Sequence, residues 1–131
     1  MIKKMEVEDI AQILSIEDID IEHIGCDKGQ WVQWLIPNIE NPDFFMMCDI
    51  EDGKLTGYIV AINAVSLPIN TGVSILYSKT AGIKSNKRIL KLLIEWAKEK
   101  NAKSIDFLTN NVAGHIVYGF NKKATLMTME I

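Results

Sequence analysis

Two cysteines, Cys26 and Cys48, are all that this 131-residue chain contains. That is too few for a disulfide-stapled scaffold, and no signal peptide is read in "MIKKMEVEDI", so a reducing, cytoplasmic setting is expected. No apolar run approaches the roughly 18 residues needed to cross a bilayer. Internal repeats, low-complexity segments and Pro/Gly/Ser linkers are missing too, which predicts one domain over residues 1–131. His23 and Cys26 have the spacing of a metal half-site, but Cys48 and His115 form no paired second motif, so no metal is expected.

What the chain does have is the balance of a packed globular protein, with 48% apolar and 24% charged residues. Its net charge of −3 conceals an uneven distribution. Residues 1–53 hold 13 Asp and Glu against Lys3, Lys4 and Lys28, a net of −10. Residues 54–131 hold 11 Lys and Arg against 4 acids, a net of +7. The first part favours a cationic partner and the second an anionic one, unless both charges simply solvate two surfaces.

The opening "MIKKMEV" reads as a short strand. In "EVEDIAQILSIEDIDI", residues Ile10, Ile13, Leu14 and Glu17 recur at helical spacing behind acidic residues that suit a helix start. "DKGQWVQWLIPNIENP" is a second short helix, with Trp31, Trp34 and Leu35 on one face, stopped by Pro37 and Asn41-Pro42. "DFFMMCDI" and "KLTGYIVAINAV" are strand-like and joined by Glu51-Asp52-Gly53, a hairpin signal. "TGVSILYS" is a further strand, followed by a loop and a helix that carries Ile89, Leu92, Leu93 and Trp96 on one stripe. "KSIDFLT" is a strand, "NNVAGHIVYGF" a short helix and "KKATLMTMEI" a closing strand. The order is β-α-α-β-β-β-α-β-α-β, an α/β domain with a mixed sheet.

The long helix has its charges at the wrong end. Lys84, Lys87, Arg88 and Lys91 lie within its first turns, where the helix dipole and mutual repulsion both disfavour cations. A bound polyphosphate relieves both penalties. Alternatively the long side chains reach into water, where each penalty is only tenths of a kcal/mol.

The element order, with "SNKRILKLLIEWAKEKNAKSIDFLTNN" followed by "YGF", resembles the GNAT superfamily of acyl-CoA N-acyltransferases, most specifically from about Ser74 onward. The resemblance implies a mostly antiparallel central sheet flanked by helices. It also implies a loop of pattern Arg/Gln-x-x-Gly-x-Gly/Ala whose backbone N–H groups hold the coenzyme A pyrophosphate. Here the pattern falls on Ala81, Gly82, Ile83, Lys84, Ser85 and Asn86, with Ala81, Lys84 and Asn86 at the positions of Arg/Gln, Gly and Gly/Ala. Glycine suits such a loop because backbone approaches an anion closely and can adopt positive φ. Asn86 tolerates the left-handed region, whereas Lys84 either crowds the cradle or turns outward to meet a phosphate. Lys87 and Arg88 join Gly82, Lys84, Ser85 and Asn86 as expected coenzyme contacts.

The resemblance further implies transfer of an acetyl group from acetyl-CoA to an amine. Backbone near Ile75, Leu76 and Tyr77, with Asn110 beyond the next strand, would hold the pantetheine arm like an added strand. Family members often protonate the departing thiolate with a Tyr before a "GF". Tyr118 adjoins Gly119-Phe120 directly, while the family's Tyr-x-x-x-Gly-Phe spacing lands on His115, so both are candidates. The general base is unassigned; Asp49 or Glu51 is weighed against a water chain. Trp31, Trp34 and Asp49 are expected to line an acceptor site in the acidic half, with one tryptophan also suited to the core. The acceptor is expected to be a primary amine of a small molecule or protein, and the chain a monomer or homodimer. Two other classes stand beside this one. A GNAT-like fold without catalysis, working as a binding or assembly protein, fits the altered loop. A nucleic-acid binder fits the basic half, but the acidic half would repel the same polyanion.

Overall fold

Eight of the ten expected elements form among the residues that the computed structural model describes, namely 1–15, 27–64, 72–79, 82–107 and 119–121, with 127, 129 and 131. They are β1 (Ile2–Lys4), α1 (Val7–Gln12), α2 (Lys28–Leu35), β2 (Phe44–Glu51), β3 (Lys54–Asn63), β4 (Val73–Lys79), α3 (Ile83–Glu99) and β5 (Ile105–Phe107). The expected last helix and last strand fall almost wholly outside the described residues. The sheet runs β1-β2-β3-β4-β5, antiparallel through its first four strands and parallel between β4 and β5, with α3 as the crossover. The result is the mixed sheet that the element order implied, mostly antiparallel and flanked by helices as the resemblance implied.

Local chemistry explains the element ends. The α2 helix starts at a reciprocal cap, in which Gln30 N–H donates to Asp27 Oδ1 at 2.9 Å and Asp27 N–H donates to Gln30 Oε1 at 3.0 Å. It ends where Pro37 enters a 3-10 turn over Ile36–Asn38. In α1 the stripe is shorter than its spacing suggested. After Gln12 the chain tightens into a 3-10 turn over Ile13–Ser15, which keeps Ile10 and Ile13 buried but leaves Leu14 exposed. The β2–β3 hairpin turns on Asp52 (φ 52°) and Gly53 (φ 76°), the double positive φ that a tight two-residue hairpin requires. At the far end of α3, Asn101 takes the left-handed position (φ 60°), and Ala102 N–H closes the helix onto the Ala97 carbonyl at 2.9 Å.

The sheet separates two apolar clusters. One face packs Met46, Cys48, Tyr58 and Val60 under Ile10, Ile13, Trp31 and Leu35 of the first two helices. The other packs Phe45, Ile59, Ala61, Val73 and Ile75 under Ile89, Leu93 and Ala97 of α3. Each fully buried side chain of this size contributes about 1.5–3 kcal/mol. One irregularity in β4 decides which face its later residues join. Val60 pairs with Tyr77 while its neighbour Ala61 pairs with Ile75, so Leu76 is an extra residue. Strict alternation would send Tyr77 to the α3 face with Val73 and Ile75. Instead Leu76 and Tyr77 both join the opposite face, where Tyr77 stacks on Tyr58 with ring centroids 4.5 Å apart. Trp31 Nε1–H donates to the Tyr58 hydroxyl at 3.0 Å, which gives the buried indole N–H its acceptor within this aromatic set.

Gly72 sets how closely β4 meets β5. A Cβ there would lie 2.5 Å from the Ser104 carbonyl oxygen, and that same carbonyl accepts Val73 N–H at 2.9 Å. Gly72→Ala should therefore destabilise the fold by about 1–3 kcal/mol, by displacing backbone rather than a movable side chain. A urea denaturation midpoint equal to wild type would show that the two segments are not held this close.

Candidate functional site

Gly82 precedes α3 in an extended conformation and offers it no capping side chain; Asn86 N–H donates to the Gly82 carbonyl at 2.9 Å, and the first turn contains no acid. Lys84, Lys87, Arg88 and Lys91 are all exposed. First-turn N–H groups, which have no partner within the helix, and four cations thus share one end of one helix. A Cβ added at Gly82 would meet nothing within 4 Å, so the backbone there is open to approach.

This arrangement changes the expectation for the loop. Lys84 and Asn86 lie inside α3, with no positive φ at either, so the departures from glycine cause no backbone strain. Lys84 turns outward and leaves the helix start clear. The left-handed tolerance of Asn86 is not used.

Ser85 points elsewhere. Its hydroxyl donates to Asp49 Oδ2 at 2.5 Å, joining the first turn of α3 to the end of β2 across 36 residues of sequence. Asp49 is only 2% exposed. The Met1 ammonium donates to Asp49 Oδ1 at 2.8 Å, to the Ile50 carbonyl at 2.7 Å and to Glu51 Oε1 at 2.8 Å. The Met1 ammonium first, then the Ser85 hydroxyl, hold the Asp49 carboxyl below its ordinary value, since both stabilise the ionised form. Sequence reasoning placed Asp49 and Ser85 in different subsites and missed their contact. The signal was available: Asp49 interrupts the apolar run Phe45-Met46-Met47-Cys48 on an inner strand, where a carboxylate requires donors.

The residues expected to receive an acceptor do not converge. Trp31 is 1% exposed and belongs to the core. Trp34 is 42% exposed, stacking on Trp31 with centroids 5.6 Å apart and meeting Phe44 edge-on at 5.1 Å. Phe44 and Asp49 are five residues apart on β2, on opposite faces, which by the rise of a strand separates them by about 17 Å. Trp34 and Asp49 therefore serve different regions of the molecule. Of the pantetheine positions, Ile75 pairs with Phe107 in the parallel register, Leu76 is the bulged residue and Tyr77 pairs with Val60. Asn110, His115 and Tyr118 lie outside the described residues.

Among the described residues no group of three His, Cys, Asp or Glu side chains is placed to hold a metal ion. No described helix is long and apolar enough to cross a membrane. Cys48 is buried, and burial first, with the nearby Asp9 carboxylate, pushes its thiol up to about 12.

Neither a protein-family model nor a curated protein sequence matches this chain. Solved structures do match in fold. A transcriptional regulator from Bacillus halodurans C-125 superposes with a TM-score of 0.77 at 14% identity, covering 100% of this chain and 99% of its own. A predicted acetyltransferase with acetyl-CoA from Clostridium acetobutylicum superposes at 0.75 and 16% identity, covering 99% and 95%. A GNAT family acetyltransferase from Staphylococcus aureus gives 0.66 at 16%, covering 100% and 98%. The chain shares its fold with these structures, a GNAT family acetyltransferase among them, and at these identities the likeness is one of fold.

The depressed Asp49 carboxyl has a testable sign. The folded protein binds this proton less readily than the unfolded chain, whose value is 3.8. Its contribution is therefore whole above pH 3.8 and is lost as pH falls through the lower folded value. Asp49→Asn should flatten the loss of stability on the acid side, read from urea midpoints taken at falling pH; an unchanged acid slope would place the titration elsewhere.

Proposed function

We propose that this protein is an N-acetyltransferase that moves an acetyl group from acetyl-CoA to a primary amine. The observation that carries the reading is the acid-free start of α3 with its four exposed cations, following β4 in this fold. The Clostridium neighbour holds acetyl-CoA, and the residues here suit the phosphate end of that molecule. Backbone N–H groups from Ile83 to Ser85 would meet the pyrophosphate, and Lys84, Lys87 and Arg88 would add charge-assisted bonds. The Gly82 backbone offers clear access. Main chain at Ile75, Leu76 and Tyr77 would hold the pantetheine arm, with Asn110 beside it.

The thioester supplies an electrophilic carbonyl. A neutral amine nitrogen forms the new C–N bond, the C–S bond breaks, and the amine's surplus proton leaves as the thiolate takes one up. Tyr118 and His115 are the candidates to deliver the proton to sulfur. The net charge of −10 over residues 1–53 favours a cationic acceptor near this half, with Trp34 as an exposed aromatic contact. A cytoplasmic location and a monomeric or dimeric state complete the reading.

A second reading, a GNAT-fold protein that binds or assembles without catalysis, is favoured by one observation. Ser85 commits its hydroxyl to Asp49 and leaves only its N–H for a phosphate. Transfer of label from acetyl-CoA to a panel of amines separates the two. Activity that survives in the His115→Ala/Tyr118→Phe double variant would remove both candidate acids.

Coenzyme binding is the central test. Acetyl-CoA at 100 times its Kd should stabilise the fold by about 2.7 kcal/mol, and no thermal shift at millimolar acetyl-CoA would count heavily against the proposal. Lys87→Glu/Arg88→Glu should weaken calorimetric binding at least about tenfold while leaving the free protein equally or slightly more stable, since acids suit this helix end. Equal affinity would leave the four cations as solvated charges.

A further inference from the structure

Among the described side chains of α3 the first fully buried one is Ile89, while Lys84, Lys87 and Arg88 are exposed and Ser85 and Asn86 are half-buried. Helix ends fray where they are not held, and Gly82 gives this end no capping side chain. Within that turn Ser85 reaches down to Asp49, making the described side-chain bond that ties the helix start to the sheet.

The support beneath Ser85 is rigid. Asp49 sits on an inner strand, between Ile2 of β1 and Gly57 of β3 in the sheet register. Gly57 brings no side chain to that face, and the neighbouring Thr56 hydroxyl donates to the Asp49 carbonyl at 3.0 Å. A carboxylate is well suited to this place. It accepts a short, strong hydroxyl bond, and its charge lies below the positive end of a helix.

We infer that Asp49 is a positioning residue for the phosphate end of the coenzyme, acting through Ser85 to hold the first turn of α3 in the orientation that its N–H groups and Lys84, Lys87 and Arg88 require. This role rests on the coenzyme reading above, and it moves Asp49 from the acceptor contact expected from the sequence to shaping the donor site. Asp49 itself touches no phosphate. Its effect is preorganisation, which lowers the ordering cost of binding.

The test is a double-mutant cycle on coenzyme A affinity, measured by calorimetry on the full chain. Ser85→Ala and Asp49→Ala should each weaken binding by about fivefold or more, the scale of a lost charge-assisted bond. The double variant should bind no worse than Asp49→Ala, because both changes break one link. Ser85→Thr, which keeps the hydroxyl, should restore most of the affinity. In turnover, KM for acetyl-CoA should rise while kcat and the KM of the amine stay within about twofold, a split that general destabilisation would not produce. Wild-type affinity in Ser85→Ala, full additivity in the double variant, or no rescue by Thr would overturn the role even if coenzyme binds. Absence of coenzyme binding by the wild type would instead overturn the coenzyme reading, and this role with it.

Discussion

One extra residue in β4 organises much of this molecule. Leu76 has no counterpart on β3, and that mismatch turns Tyr77 away from the face on which Val73 and Ile75 are packed. The first half of the strand belongs to the core under α3, and the second to the core under α1 and α2. Tyr77 then completes a buried set with Tyr58 and Trp31, in which the indole N–H finds its acceptor in the Tyr58 hydroxyl. A bulge bends and twists its strand as well, so β4 leads toward the start of α3 along a path that a regular ladder would not give. The helix start, with its exposed cations, inherits its place from that path.

A second constraint acts at the other side of the same helix end. The Asp49 carboxylate is buried in an apolar strand and is kept ionised by its donors. Burying such a charge is costly unless donors surround it, and here one of them comes from α3. The sheet and the helix are thus joined by a directional contact at the helix start. The cations at the same end have no comparable partner among the described residues' ion pairs, which cluster instead around Lys3, Lys4 and the amino terminus.

Periodicity and turn chemistry carried most of the fold in the sequence. Ile89 and Leu93 mark the buried stripe of α3, and Asp52-Gly53 marks the hairpin. These signals are local, and the structure keeps them. The bulge at Leu76 left no such mark, because "TGVSILYS" alternates acceptably in either register and only pairing with Val60 and Ala61 decides. Trp31 and Trp34 are three residues apart on one helical face, so spacing alone could not tell the buried ring from the exposed one; contact with Tyr58 does. The Asp49–Ser85 bond is further from view still, since it depends on how a strand end and a helix start meet in three dimensions. What sequence did offer was an acid in an apolar strand, a question rather than an answer.

Cys48 turns the burial of β2 into a clock. The reactive form of a cysteine is its thiolate, and this one is both enclosed by the sheet and held as a thiol to about pH 12. An alkylating reagent at neutral pH therefore has to wait for β2 to separate from its cover. The rate of its reaction at this position measures how often the centre of the sheet opens, without any added label or substitution.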